Sequence, residues 1–157
     1  MTTPPASLTP PADPGRPRTH AWLVPWRLAV AERPGGGGRG HRRERRFDEI
    51  AWWSRHGVTA VVSGMRSRHG LADYAAAGWQ VRWHPLRTPR QAVTELPLLV
   101  AAVRELLDTH PSAVLVHCDR PGEYLAAVVA AAYLQCLHYA VVLRVLPQLG
   151  GGEERTG

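Results

Sequence analysis

Apolar positions along the chain follow two spacings that interleave. Val114-Leu115-Val116 is a short apolar run that ends at His117-Cys118. A polar loop holding Pro121-Gly122 follows, and then an apolar stretch rich in Ala and Leu begins at Leu125, so this segment predicts a strand, a loop and a buried helix. Upstream, Ala21 to Ala29 reads as two short strand pieces around a turn. Phe47 to Arg55 places Phe47, Ile50, Ala51 and Trp53 or Ser54 at a spacing compatible with a helix, with Gly57 as its C-cap. Val58–Val62 reads as a buried strand, Ser63–Gly70 as a polar turn, Leu71–Ala77 as a short helix closed by Gly78, and Trp79–Pro85 as an alternating strand. Gln91 to His110 is an amphipathic helix with Val93, Leu96, Leu99, Val100, Val103, Leu106 and Leu107 on one side. A last apolar part, Tyr139 to Leu149, predicts a further helix. The alternation argues an α/β fold, a single domain with a central, mainly parallel sheet flanked by helices, whose ligand site lies at the carboxyl end of the Val114–Val116 strand, where Cys118 stands.

Composition changes this picture at the margins. At 157 residues and 45% apolar content, the chain is long enough for one domain with a full core. Residues 20–149 are expected to form it, between a Pro-rich disordered tail at 1–19 and a flexible tail at 150–157. Within it, Arg33 to Arg46 reads as a Gly/Arg-rich loop insertion, either a docking patch or a solvated loop. All 19 basic residues are Arg, a skew we attribute to GC-rich codon usage, and the formal net charge is +6. No aromatic residues interleave the basic run and no recognition motif follows it, which argues against a nucleic-acid partner. The two cysteines, Cys118 and Cys136, make no disulfide framework and show no metal-ligand spacing. No metal or cofactor is expected, and a reduced cytoplasmic setting is the simpler reading. The N-terminal stretch lacks the basic start and apolar run of a signal peptide. Leu125 to Leu143 is interrupted by Gln135 and His138 and is explained as a core helix, so no membrane span is expected. Of the six tryptophans, five sit in apolar patterns and read as core, while Trp26 lies in a turn.

A thiol at the mouth of a strand–loop–helix unit stands where loop N–H groups and the positive end of a helix converge, which makes an anion site and favours a thiolate nucleophile. Cys118 is the candidate nucleophile, with a buried structural thiol as the other reading; Cys136, in the apolar helix, reads as core. Asp119 and Glu123 place carboxylates within the loop, where they would repel a phosphate dianion if they point inward. Pro121 has no N–H and removes one potential donor.

VLVHC, the short loop with Gly122 and the helix reaching Ala132-Tyr133-Leu134 resemble the HCxxGxxR signature of the cysteine-dependent protein tyrosine and dual-specificity phosphatases, in their small dual-specificity-like branch. The resemblance implies that fold, with a phosphate-binding loop formed by His117, Cys118, Asp119, Arg120, Pro121, Gly122, Glu123 and Tyr124, and a role for the His117 ring in holding the loop. Without gaps, the family Gly falls on Pro121 and the family Arg on Tyr124; with one inserted residue the Arg position becomes Leu125. Neither register supplies the arginine. The strand ending in His84-Pro85-Leu86 is similar to the family strand that leads to a general-acid Asp, and Thr88 stands at that position. Glu95, the nearest downstream carboxyl, reads as a solvated helix residue. The resemblance thus implies a catalytically impaired domain, a pseudophosphatase, that binds a phosphorylated protein or a small phosphomonoester or serves as an interaction module. The alternative is an active hydrolase working through a Cys118 phosphocysteine with Arg120 as the phosphate clamp.

Overall fold

The computed structural model describes residues 13–87, 89–119, 129 and 134. Five strands, β1 (His20–Val24), β2 (Leu28–Glu32), β3 (Val58–Ser63), β4 (Gln80–Trp83) and β5 (Ala113–Cys118), form one sheet in the order β1-β2-β5-β3-β4. Only β1 runs antiparallel, paired with β2; the other three pairings are parallel. The expected central strand is therefore the third of five, and the mixed α/β class read from the alternation is the observed one. Helices α1 (Arg43–Arg55), α2 (Leu71–Ala76) and α3 (Pro89–Thr109) connect the parallel strands.

The period of two along each strand splits the core into two layers. Leu28, Val30, Ala60, Val62, Val114 and Val116 point to the face covered by Leu99, Ala102, Val103, Leu106 and Leu107 of α3. Ala29, Ala31, Val61, Ala113 and Leu115 point to the opposite face, against Ile50, Trp52 and Trp53 of α1 and Tyr74 of α2. Helices on both faces explain why β5 is an unbroken apolar run. Val129 is helical and buried in the α3 layer, and Leu134 is helical and exposed; the other residues of the expected helix after Leu125, with Cys136 and the Tyr139–Leu149 segment, lie outside the described residues. Among the described residues no helix is long and apolar enough to cross a membrane.

The β1–β2 connection is a tight turn in which Arg27 N–H donates to Val24 O at 3.1 Å, with Pro25 and Trp26 at its centre. Trp26 has φ +59°. Its place is the third position of a type II turn, which favours glycine. The side chain is 68% exposed and its ring lies near those of Trp22 and His56; Trp83, expected in the core, is half-buried outside both core layers, with the Arg68 guanidinium over its ring. Arg27, next in the chain, donates to the carbonyls of Leu107, His110 and Ser112, placing a cation on the negative end of α3.

Two local expectations change. α1 begins at Arg43, so the last part of the basic run is helix, and Phe47 is 43% exposed beneath the guanidinium groups of Arg43 and Arg46. The buried stripe of α1 is Arg46, Glu49, Ile50 and Trp53, at helical spacing, with Trp52 beside it. Its first turns are charged, which is why an apolar count began the helix too late.

Candidate functional site

The parallel strands β2, β5 and β3 end side by side. Glu32 is opposite Cys118, and Ser63 is opposite His117, so the residues that leave the sheet next, Arg33, Asp119 and Gly64, share one edge. This is the carboxyl edge at which α/β sheets hold ligands. Cys118 is half-buried there and packs against the α3 layer.

Gly64 gives Cys118 its seat. Its N–H donates to His117 O at 2.8 Å, and a Cβ at this position would lie 3.4 Å from the Cβ of Cys118 and 3.3 Å from Leu99 Cδ1. A side chain there would press first on Leu99 Cδ1, the tightest of these contacts. The chain after β4 is drawn to the same edge, because His84 N–H donates to Ser63 O at 2.9 Å and Leu86 N–H to Gly64 O at 3.1 Å. That segment leads to Thr88, which lies outside the described residues, as do Arg120, Pro121, Gly122, Glu123 and Tyr124. Of the sequence-derived site residues, the structure describes His117, Cys118 and Asp119 and brings them to one edge.

Glu95 is not the solvated residue its spacing implied. Its carboxylate accepts the Arg87 N–H at 2.7 Å and faces Arg87 Nε at 3.6 Å, and its side chain is only 16% exposed. It secures the entry to α3 and is engaged with the backbone of the preceding loop.

His117 is fully buried, beside the Tyr74 ring at 5.5 Å, and neither ring nitrogen has a hydrogen-bond partner among the described residues. Burial, reinforced by the nearby Arg33 charge, pushes its pKa down to about 3, so the ring is neutral at pH 7. Burial likewise pushes the Tyr74 hydroxyl well above its usual range, and it stays protonated.

The Gly-rich segment after β2 is the feature that sequence reasoning missed. It closes on itself: Gly36 N–H donates to Arg33 O and Arg42 N–H to Gly35 O, both at 2.9 Å. Arg33 Nε donates to Gly36 O at 2.7 Å. Gly35, at φ +92°, donates its N–H to Glu49 Oε2 at 2.9 Å, and a Cβ there would meet His41, Arg42 O and Arg46 within 3 Å. Glycine is required by both conformation and space. Behind the segment, Arg45 bridges Glu32 and Glu49 at 2.6 and 2.5 Å. Arg46, 5% exposed, pairs with Asp73 at 2.6 Å and donates from Nη1 to Nε2 of both His41, at 2.8 Å, and His69, at 3.1 Å. Because a guanidinium can only donate, His41 carries its proton on Nδ1, which donates to Gly36 O at 3.1 Å. Burial pushes His41 down from its ordinary pKa, and the charges of Arg33 and Arg46 add to that. The segment reaches the cysteine edge at its middle, where a Cβ on Gly37 would lie 3.2 Å from Asp119 O. Arg33 Nη1 lies 3.9 Å from Asp119 Oδ1.

No group of His, Cys, Asp and Glu able to hold a metal ion occurs among the described residues. No protein-family model matches the chain, and no curated protein matches it. Among solved structures, the chain is similar to a crystal structure of kinase associated phosphatase in which the catalytic-site cysteine is replaced by serine, with 16% identity and a TM-score of 0.45. The match covers 58% of this chain and 55% of that one, so it spans about half the length of that structure.

Proposed function

We propose that this is a phosphatase-like domain of the protein tyrosine and dual-specificity type whose catalytic power is impaired. It holds a phosphorylated protein or a small phosphomonoester at the Cys118 edge of the sheet. One observation carries the reading: Cys118 ends the central strand at the carboxyl edge of the parallel strands, with the Arg33–Gly37 segment against the residue that follows it. A reduced cytoplasmic setting keeps that cysteine a thiol.

The impairment follows from the sequence. An arginine placed on transferring phosphoryl oxygens is worth about 10³ to 10⁵ in rate in related chemistry, and neither motif register provides one. Thr88 cannot serve as the general acid. Glu95, the nearest downstream carboxylate, is engaged with Arg87 and is not poised to replace it.

The test pairs binding with turnover. Inorganic phosphate should protect Cys118 from iodoacetamide, followed by mass spectrometry at that residue so that Cys136 is scored separately. Hydrolysis of a small aryl phosphate should stay at background, with no change in Cys118→Ser. Strong turnover abolished by Cys118→Ser would establish the hydrolase reading. Neither protection nor turnover would leave a fold with no anion site.

A further inference from the structure

We propose that Arg33 supplies the positive charge of the Cys118 anion site, in place of the motif arginine the sequence lacks, and that Asp119 is its built-in counter-ion, displaced when a phosphate group binds. The inference rests on the anion-site reading above.

Topology puts Arg33 in place. Because β2 and β5 are parallel neighbours with Glu32 opposite Cys118, the side chain one step beyond β2 leaves the sheet beside Asp119. Its guanidinium is held by the Nε contact to Gly36 O at 2.7 Å, on a loop that Glu49 and Arg42 pin in turn. A preorganised fork loses little freedom when an oxyanion arrives.

Its present partner is weakly engaged. The 3.9 Å separation from Asp119 exceeds hydrogen-bond length, and the Asp119 side chain is 48% exposed against 15% for Arg33. At that separation the contact is a loose ion pair, and solvent around the half-exposed carboxylate screens it. A phosphate dianion offers more charge and oxygens that can accept two parallel N–H bonds, which are the stronger contacts. The two arginines packed behind the loop are already committed at short range, Arg45 to Glu32 and Glu49 and Arg46 to Asp73. The Arg33 charge reaches the site's interior as well, since it helps keep His117 neutral.

The arrangement makes Asp119 a competitor. At rest its carboxylate screens Arg33, and as the next residue in the chain its charge disfavours ionisation of the Cys118 thiol. Once displaced, it leaves the guanidinium to the bound phosphate group.

The probe is inorganic phosphate, titrated by ³¹P NMR against the full chain, with Cys118 alkylation as a second readout. Arg33→Met should weaken binding at least tenfold, and Arg33→Lys should recover part of it. Asp119→Asn should tighten binding several-fold and speed alkylation of Cys118, and both gains should vanish in the Arg33→Met background. Were Arg33→Met to unfold, Asp119→Asn would decide alone, and unchanged affinity there would overturn the proposal. Phosphate binding with Cys118 protection that is indifferent to Arg33 would overturn it while leaving the anion site standing. Absence of binding and protection in both the natural chain and Asp119→Asn would remove the anion site itself.

Discussion

Arg46→Met should destabilise the domain by about 3 to 5 kcal/mol, the range for breaking a buried ion pair from one side, whereas Arg43→Met should change stability by less than about 0.5 kcal/mol, as exposed substitutions do. Both arginines belong to the same basic run, and they differ in surroundings alone. Arg43 is exposed, and its guanidinium lies over the exposed Phe47 ring. Arg46 is the first residue of the buried stripe of α1. It joins three elements at once: Asp73 in α2, His69 in the turn before it, and His41 at the end of the Gly-rich segment. Methionine keeps the unbranched stem and the helix propensity, so the loss would be that of the guanidinium, with its charge and its hydrogen bonds. The Asp73 carboxylate and the Nε2 atoms of His41 and His69 would lose their donor. Urea unfolding at pH 7 measures both variants, and equally small effects would show that the run acts as a solvated or docking surface throughout.

This difference between neighbours marks the limit of what could be read in the sequence. The elements whose sides are apolar were legible: β3, β5, the buried side of α3 at Leu99, Val103, Leu106 and Leu107, and the glycines that close α1 and α2 at φ +84° and +83°. Cys118 at the end of the central strand was legible for the same reason, because an unbroken apolar run flanked by helical periods defines a strand covered on both faces. The Gly/Arg-rich segment was not. Its order comes from tertiary hydrogen bonds to Glu49, from the Arg46 cluster and from its approach to Asp119, none of which has a local pattern. Buried charges at helical spacing look like a solvated face until their partners are known. Arg33 was invisible as a site residue because its position depends on β2 lying next to β5, a neighbour relation between strands more than eighty residues apart in the chain. Glu95 was misread for a similar reason, since an acidic residue on a helix carries no sign of reaching back to the loop before it.

Acid should destabilise this domain through His117. Its pKa is pushed from 6.5 in the unfolded chain to about 3 in the fold, chiefly by burial. The unfolded state therefore binds the proton first: the contribution is complete above pH 6.5 and is lost as pH falls toward 3. The slope is about 1.4 kcal/mol per pH unit for one group, so His117 alone should account for a loss of about 3 kcal/mol between pH 6.5 and pH 4.5. His20, His41 and His84 are also pushed down and act in the same direction, but each is only partly buried, and solvent screening reduces its share. His117→Phe isolates the central term, because it keeps an aromatic ring beside Tyr74 and removes the titrating nitrogens. Urea unfolding of both proteins at pH 7 and pH 4.5 should show a smaller acid loss in the variant, by about 3 kcal/mol, whatever its stability at pH 7. Equal acid losses in the two proteins would mean that His117 can be protonated within the fold, and that the interior beside Arg33 and Tyr74 holds a compensating acceptor for the charge.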